Sequence, residues 1–132
     1  MSVKDIDHVA IPIENVDELL AFYQGLGFRL NCERAPHFYS AHLGDTKLNF
    51  HGPRVWRSER FTLRGPSAIP GCGDFCFVWE GTQDQLQDML SKNKISIVEG
   101  PVERDGAGAG GRPGTSTYVR DPDGNLIEFI RY

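Results

Sequence analysis

The sequence predicts an α+β protein made of two copies of a β-α-β-β-β module, and three observations predict it. Strand, helix and three short strands are followed by an aperiodic stretch, after which the same order of elements begins again. A shift by half the 132-residue chain lays His8 on Asp74, Glu14 on Glu80 and Leu20 on Leu86. The last residues, T-S-T-Y-V-R-D-P-D-G-N-L-I-E-F-I-R-Y, read as strand, tight turn, strand, with one acid, Glu128, between Leu126 and Ile130 on a shared face.

In the first module, residues 3–13 alternate loosely and are rich in Val and Ile, which favours a strand with Ile6, His8 and Ala10 on one face. Asn15 can cap the next helix, with Glu18 three residues on as in a capping box, and Val16, Leu19, Leu20 and Tyr23 form its apolar stripe. Gly25 and Gly27 end it. Residues 28–35, 37–44 and 47–52 read as short strands, the last two joined at Gly44-Asp45-Thr46. Asn49 and His51 share a face of the last one. From Gly52 to Gly73 the pattern is lost. Arg54, Arg57, Arg60 and Arg64 stand there against the single acid Glu59, and the stretch reads as a loop joining two halves.

The second module opens with a strand at 74–80 and a helix at 82–94, started by Thr82 with Gln85 three residues later and striped by Leu86, Met89 and Leu90. A strand at 95–103, a glycine-rich loop from Gly106 to Gly114 and two strands meeting at Asp121-Pro122-Asp123-Gly124 complete it. The expected organisation is one domain over 1–132, with modules at about 1–52 and 72–132 and a linker at about 53–71. Matching the last strands puts Leu48-Asn49-Phe50 on Ile127-Glu128-Phe129, so Asn49 is the counterpart of Glu128.

Hydrophobic content of 39% with 24% charged residues is that of a globular chain, and no apolar run approaches the ~20 residues that span a bilayer. A net charge of -4 offers no general attraction to nucleic acid, whose binding rests on Lys and Arg neutralising phosphates. Neither membrane nor nucleic acid is expected as a partner; a small-molecule substrate is. Cys32, Cys72 and Cys76 form no C-x-x-C pair and no basic-then-apolar signal segment is seen, so the expected location is the reducing cytoplasm. A literal G-x-G-x-x-G at Gly106, Gly108 and Gly111 is followed by Arg112-Pro113-Gly114 and an alternating strand instead of a helix, which rules against a dinucleotide fingerprint. Tyr39 and His42 have no claim beyond packing.

Read alone, Glu128 is a solvated carboxylate on a half-exposed strand. The pairing of D-H-V-A-I-P-I near the start with Y-V-R-D-P-D-G-N-L-I-E-F at the end changes that. With L-N-x-H at 48–51 and P-G-x-x-D-x-C-F at 70–77, these segments resemble the vicinal oxygen chelate superfamily of glyoxalase I, extradiol dioxygenases, fosfomycin-resistance and bleomycin-binding proteins. The resemblance spans essentially the whole chain and is nearest to small glyoxalase-like proteins. It implies a cupped mixed sheet formed by the two modules, a divalent metal inside it, and ligands on the modules' first and last strands.

On that resemblance, His8 and Glu128 occupy two ligand positions, and imidazole and carboxylate suit Zn, Ni, Co, Mn or Fe(II). Asp74 stands where glyoxalase I carries a histidine, and Asn49 where it carries a glutamate. Asp74 can still ligate through oxygen, Asn49 ligates only weakly, and His51 can take its place as an imidazole donor. The expected ligands are therefore His8, His51, Asp74 and Glu128. Glu128 and His51 are the expected proton carriers, and Asn49, Tyr118 and Arg54 the substrate contacts. The implied function is a metal-dependent glyoxalase-like lyase or isomerase acting on a small vicinally oxygenated substrate, working as a homodimer. Ala10 stands where fosfomycin-resistance proteins carry a threonine, which disfavours thiol transfer to fosfomycin. Fe(II) extradiol-type ring cleavage and metal-free antibiotic binding in the manner of bleomycin resistance are the alternatives.

Overall fold

The computed structural model describes all of residues 1–132 and divides into two compact units, Met1–Cys72 and Gly73–Tyr132. In the first, β1 (His8–Pro12), α1 (Val16–Gly25), β2 (Arg29–Asn31), β3 (Phe38–Leu43) and β4 (Thr46–His51) are followed by a one-turn helix, α2 (Pro53–Trp56). In the second, β5 (Asp74–Val78), α3 (Gln83–Lys92), β6 (Glu99–Asp105), β7 (Pro113–Arg120) and β8 (Leu126–Arg131) follow the same plan. The sheets have matching orders, β1-β4-β3-β2 and β5-β8-β7-β6, with the first pair parallel in each and the rest antiparallel. The expected α+β class and module repeat are thus present. No helix is long and apolar enough to cross a membrane.

Strand alternation divides each sheet into an apolar and a polar face. In the first unit Ile11, Ala41, Leu48 and Phe50 are buried on one face, as are Leu19 and Tyr23 of α1. The Tyr23 ring meets those of Phe50 and Phe28, each at 5.4 Å between centroids. In the second, Val119, Ile127 and Phe129 are buried with Leu86 and Leu90 of α3. Each fully buried side chain of this size contributes roughly 1.5–3 kcal/mol, so these two stripes hold each helix.

The caps differ from each other. Thr82 accepts from the Gln85 amide at 3.1 Å while the Gln85 side chain accepts from the Thr82 amide at 2.9 Å, the expected capping box. The corresponding box at Asn15 does not form: its backbone sits at φ -87, ψ 74 and its side chain makes no capping bond. Helix α1 ends at Gly25 as expected, with Gly27 at φ 97 turning the chain into β2. The first strand is shorter than the 3–13 expected, because residues before His8 have no ladder partner.

The arginine-rich stretch is part of the first unit, not a plain connector. Trp56 Nε1 donates to the Ile13 carbonyl at 2.9 Å, and Arg57 forks onto Glu14 at 2.6 and 2.8 Å. Arg64 donates to the carbonyls of Trp56 and Ala68. Two of its four arginines thus serve the fold. Gly52 admits a close backbone approach at the end of β4: its amide donates to the His37 carbonyl at 2.8 Å, and a Cβ there would lie 2.6 Å from the Pro36 oxygen.

The D-P-D-G-N segment acts as a clasp. Asp121 Oδ1 accepts from the amides of Asp123 and Asn125, both at 3.0 Å, and Asp121 Oδ2 accepts from Asn125 Nδ2 at 2.8 Å. Asn125 is fully buried and its Oδ1 accepts from the Gly73 amide at 2.7 Å, which ties the β7–β8 turn to the residue preceding β5. The glycine-rich loop contains a short 3-10 turn, Ala109–Gly111, and then enters β7, so no phosphate-binding helix follows it.

Candidate functional site

In the second unit the register sets Cys76, Glu128 and Tyr118 side by side on adjacent strands, on the face opposite the buried Ile127 and Phe129. Glu128 is half-buried and its Oε1 accepts from the Ser116 hydroxyl at 2.5 Å. Ser116 has no exposed surface, so this donor is fixed in place. Partial desolvation, reinforced by the neighbouring Glu128 carboxylate, pushes the Cys76 thiol up to about 12, leaving it a protonated donor and not a nucleophile. Tyr118 is likewise raised, by burial first, with the Glu128 charge adding to it and a bond from Arg104 opposing it. Arg104 Nε donates to the Tyr118 oxygen at 3.2 Å, and its guanidinium lies 5.7 Å from the ring centroid. A carboxylate so supported can receive and return a proton or offer oxygen to a cation.

The first unit has a different chemistry on its equivalent face. A cavity of about 460 Å³ is lined by Asn31, Glu33, Arg34, Phe38, Tyr39, Ser40, His42, Lys47, Asn49 and His51. At its end His51, 9% exposed, stands edge-on to Phe38 and Phe61 at 5.7 and 5.1 Å between centroids. Burial, with Arg64 nearby, holds its imidazole below the ordinary value, so it is neutral at pH 7. Ser40 and His42 are hydrogen-bonded, Oγ to Nε2, at 2.9 Å.

The expected ligands divide between the units, His8 and His51 in the first, Asp74 and Glu128 in the second. His8 pairs with Lys47 and is held by Asp7 at 2.6 Å, whereas His51 pairs with Pro12. Four residues along parallel strands separate them by about 13 Å, and ligand bonds are only about 2.0–2.3 Å long. Two imidazoles that far apart along one strand pair do not meet on a single ion within this unit. Asp74 and Glu128 do share a face, one pleat apart. No group of three or more His, Cys, Asp or Glu side chains comes together in a way that could hold a metal ion.

Asn49 lines the cavity of the first unit and Tyr118 adjoins Glu128, but Arg54 is exposed and is not among the lining residues. Arg34 and Lys47 supply the cations there instead. Ser40 and Lys47 escaped the sequence reading and His42 was given no claim beyond packing, although the signal was present: in F-Y-S-A-H-L, alternation puts Phe38, Ser40 and His42 on one face. Ser116, two residues from Tyr118, matches with it polar positions of the fosfomycin-resistance site in sequence, but its bond to Glu128 shows only in the register.

The chain is 34% identical over 132 residues to the glyoxalase domain-containing protein RDO1 of Mycosarcoma maydis, covering 100% of this chain and 70% of that protein. It is 32% identical over 133 residues to virulence protein STM3117 of Salmonella typhimurium, covering 100% of this chain and 87% of that one. The crystal structure of the latter superposes with a TM-score of 0.85, covering 100% of this chain and 99% of the other at 33% identity. A lactoylglutathione lyase from Agrobacterium tumefaciens shares the fold, with a TM-score of 0.73 at 20% identity over 98% of this chain and 95% of that one. Residues 5–129 match the family model, and the chain belongs to the Glyoxalase/Bleomycin resistance protein/Dioxygenase superfamily.

Proposed function

We propose that the protein is a lyase or isomerase acting on a small substrate with oxygens on adjacent carbons, and that Glu128 is its proton carrier. The observation that carries this is the support of Glu128 by Ser116 at 2.5 Å, on the polar face of β8, at the position where β4 holds the non-ionising Asn49. Glu128 takes a proton from the hydroxyl-bearing carbon and returns it to the adjacent carbonyl carbon, so one C–H bond breaks and another forms, while the hydroxyl proton passes to the former carbonyl oxygen. A positioned base of this kind contributes on the order of 10² to 10⁴ in rate. Ser116 keeps the carboxylate oriented, and the raised Tyr118 remains a hydrogen-bond donor to a substrate oxygen.

The reading includes a divalent ion held by Asp74 and Glu128, which lie one pleat apart on a shared face. Two carboxylates are oxygen donors that suit Mn or Fe(II) and also serve Zn, Ni and Co. When bound, such an ion supplies Lewis-acid polarisation of the substrate's oxygens. His51 is not part of this set. Ring cleavage by Fe(II) is disfavoured, since the two imidazoles it would draw on, His8 and His51, stand at opposite ends of the β1–β4 pair. A homodimer belongs to the same reading, supported by the exposed Val9 and Val78 on the edge strands β1 and β5.

Metal analysis of protein purified without chelators tests the proposal. Near-stoichiometric divalent metal is expected in the wild type, with strong loss in Glu128→Gln and retention in His51→Ala. Unchanged content in Glu128→Gln removes its ligand role. A wild type that binds no ion on titration leaves the metal-free binding protein as the better description.

A further inference from the structure

The polar face of the first sheet is ordered by register into three rows. Arg29, His42 and Lys47 lie side by side in one, the next carries Asn31, Ser40 and Asn49, and the third joins Phe38 to His51. Successive rows lie two residues apart along the strands. The basic row is therefore separated from the aromatic one by about 13 Å, with an amide-and-hydroxyl row between. Except for Arg29, all of these residues line the cavity of about 460 Å³.

We propose that this face binds an elongated small carboxylate, with the anion at Lys47 and His42, a polar middle at Ser40 and Asn49, and an apolar tail against Phe38 and His51. This rests on the proposed function only for the view that the bound molecule is a substrate.

Three features carry it. The lining holds two fixed cations, Lys47 and Arg34, against one acid, Glu33. The other acid near Lys47, Asp7, is engaged with His8 at 2.6 Å. The field of the basic row is also felt by its own members: burial, then Arg29 and then Lys47 hold the His42 imidazole below its ordinary value. His42 nevertheless keeps a defined orientation through the 2.9 Å bond to Ser40. At the other end Phe38, His51 and Phe61 contact one another edge to face, a rigid apolar wall that offers little to a charged group. A symmetric or fully polar ligand would leave one end unmatched. A molecule with a carboxylate and an aromatic or aliphatic end about 10 Å away satisfies both.

The test uses the full chain after metal removal with a chelator, so that binding is scored separately from metal dependence. N-(3-Phenylpropanoyl)glycine, its neutral glycinamide and N-propanoylglycine are titrated by calorimetry and by amide chemical shifts. Saturable binding of N-(3-phenylpropanoyl)glycine is expected, with shifts centred on β3 and β4, and with both the glycinamide and N-propanoylglycine weaker by roughly tenfold, the factor of a single well-placed contact. Lys47→Gln should weaken the carboxylate by about five- to tenfold while leaving the glycinamide unchanged, a split that loss of packing would not produce. Equal affinity for acid and glycinamide, shifts centred on the second unit, or no saturable binding would overturn the proposal. These outcomes come from the unmutated protein, and metal loss in Glu128→Gln stands or falls without them.

Discussion

Replacing Asn125 by Ala should cost the protein about 3–5 kcal/mol. Two bonds are removed: the Gly73 amide loses its acceptor at 2.7 Å, and Asp121 Oδ2 loses a donor at 2.8 Å. Asn125 is fully buried and Asp121 nearly so, so water replaces the lost partners poorly. An unsatisfied buried amide costs about 1–3 kcal/mol, and a hydrogen bond to a charged group is worth about 1.5–3 kcal/mol. Against a typical total stability of about 5–15 kcal/mol this is a large loss. Urea unfolding gives the free energy, and hydrogen exchange at the Gly73 amide locates it, since that amide should lose its protection first. Asn125→Asp supplies the control. Its Oδ1 can still accept from Gly73, but a carboxylate then faces that of Asp121, and like charges at that distance repel. Its deficit relative to wild type should therefore shrink as the pH falls toward the carboxylate range, while that of Asn125→Ala should not shrink in the same way. A loss below about 1 kcal/mol in Asn125→Ala would show that the clasp is incidental.

Ser116→Ala should weaken divalent-metal affinity by about 10–100-fold, as loss of a group that orients a ligand does, measured by competition with a chelating dye; unchanged affinity would detach Ser116 from the site. The folded state holds His51 below its ordinary value of 6.5, so the unfolded chain takes up that proton first. The stabilisation from a neutral His51 is then complete above about 6.5 and is lost as the pH falls from there toward the folded value. Urea midpoints at pH 7.5 and 5 should fall more for the wild type than for His51→Phe, with His42, lowered in the same direction, contributing equally to both; equal falls would refute the role of His51.

Much of the architecture was legible because periodicity and punctuation agree. Thr82 and Gln85, Gly27 after its helix, and the Asp121–Gly124 turn each bear a local signal that the fold uses as read. Asn15 misled, because a capping residue type does not fix the backbone angle that capping needs. The stretch after Gly52 lacks periodicity, yet Trp56, Arg57 and Arg64 bind it to the first unit through side-chain bonds that no period encodes. At the candidate site, the face on which Glu128 lies was readable from alternation. Its partners were less so: Ser116 and Cys76 come from other strands, and their meeting depends on register. The same dependence separated His8 from His51, which composition alone makes look like a pair.

The equivalence of Asn49 and Glu128 extends across a whole row of each sheet: Ala10, Asn49, Ser40 and Asn31 in one, Cys76, Glu128, Tyr118 and Glu99 in the other. Two halves with the same topology have thus lost chemical interchangeability while keeping positional interchangeability. If the first sheet holds the ligand and Glu128 moves the proton, as proposed, substitutions along β3 and β4 would retune what is held without disturbing the carboxylate on β8. Selection on ligand choice and selection on rate would then act on different stretches of sequence.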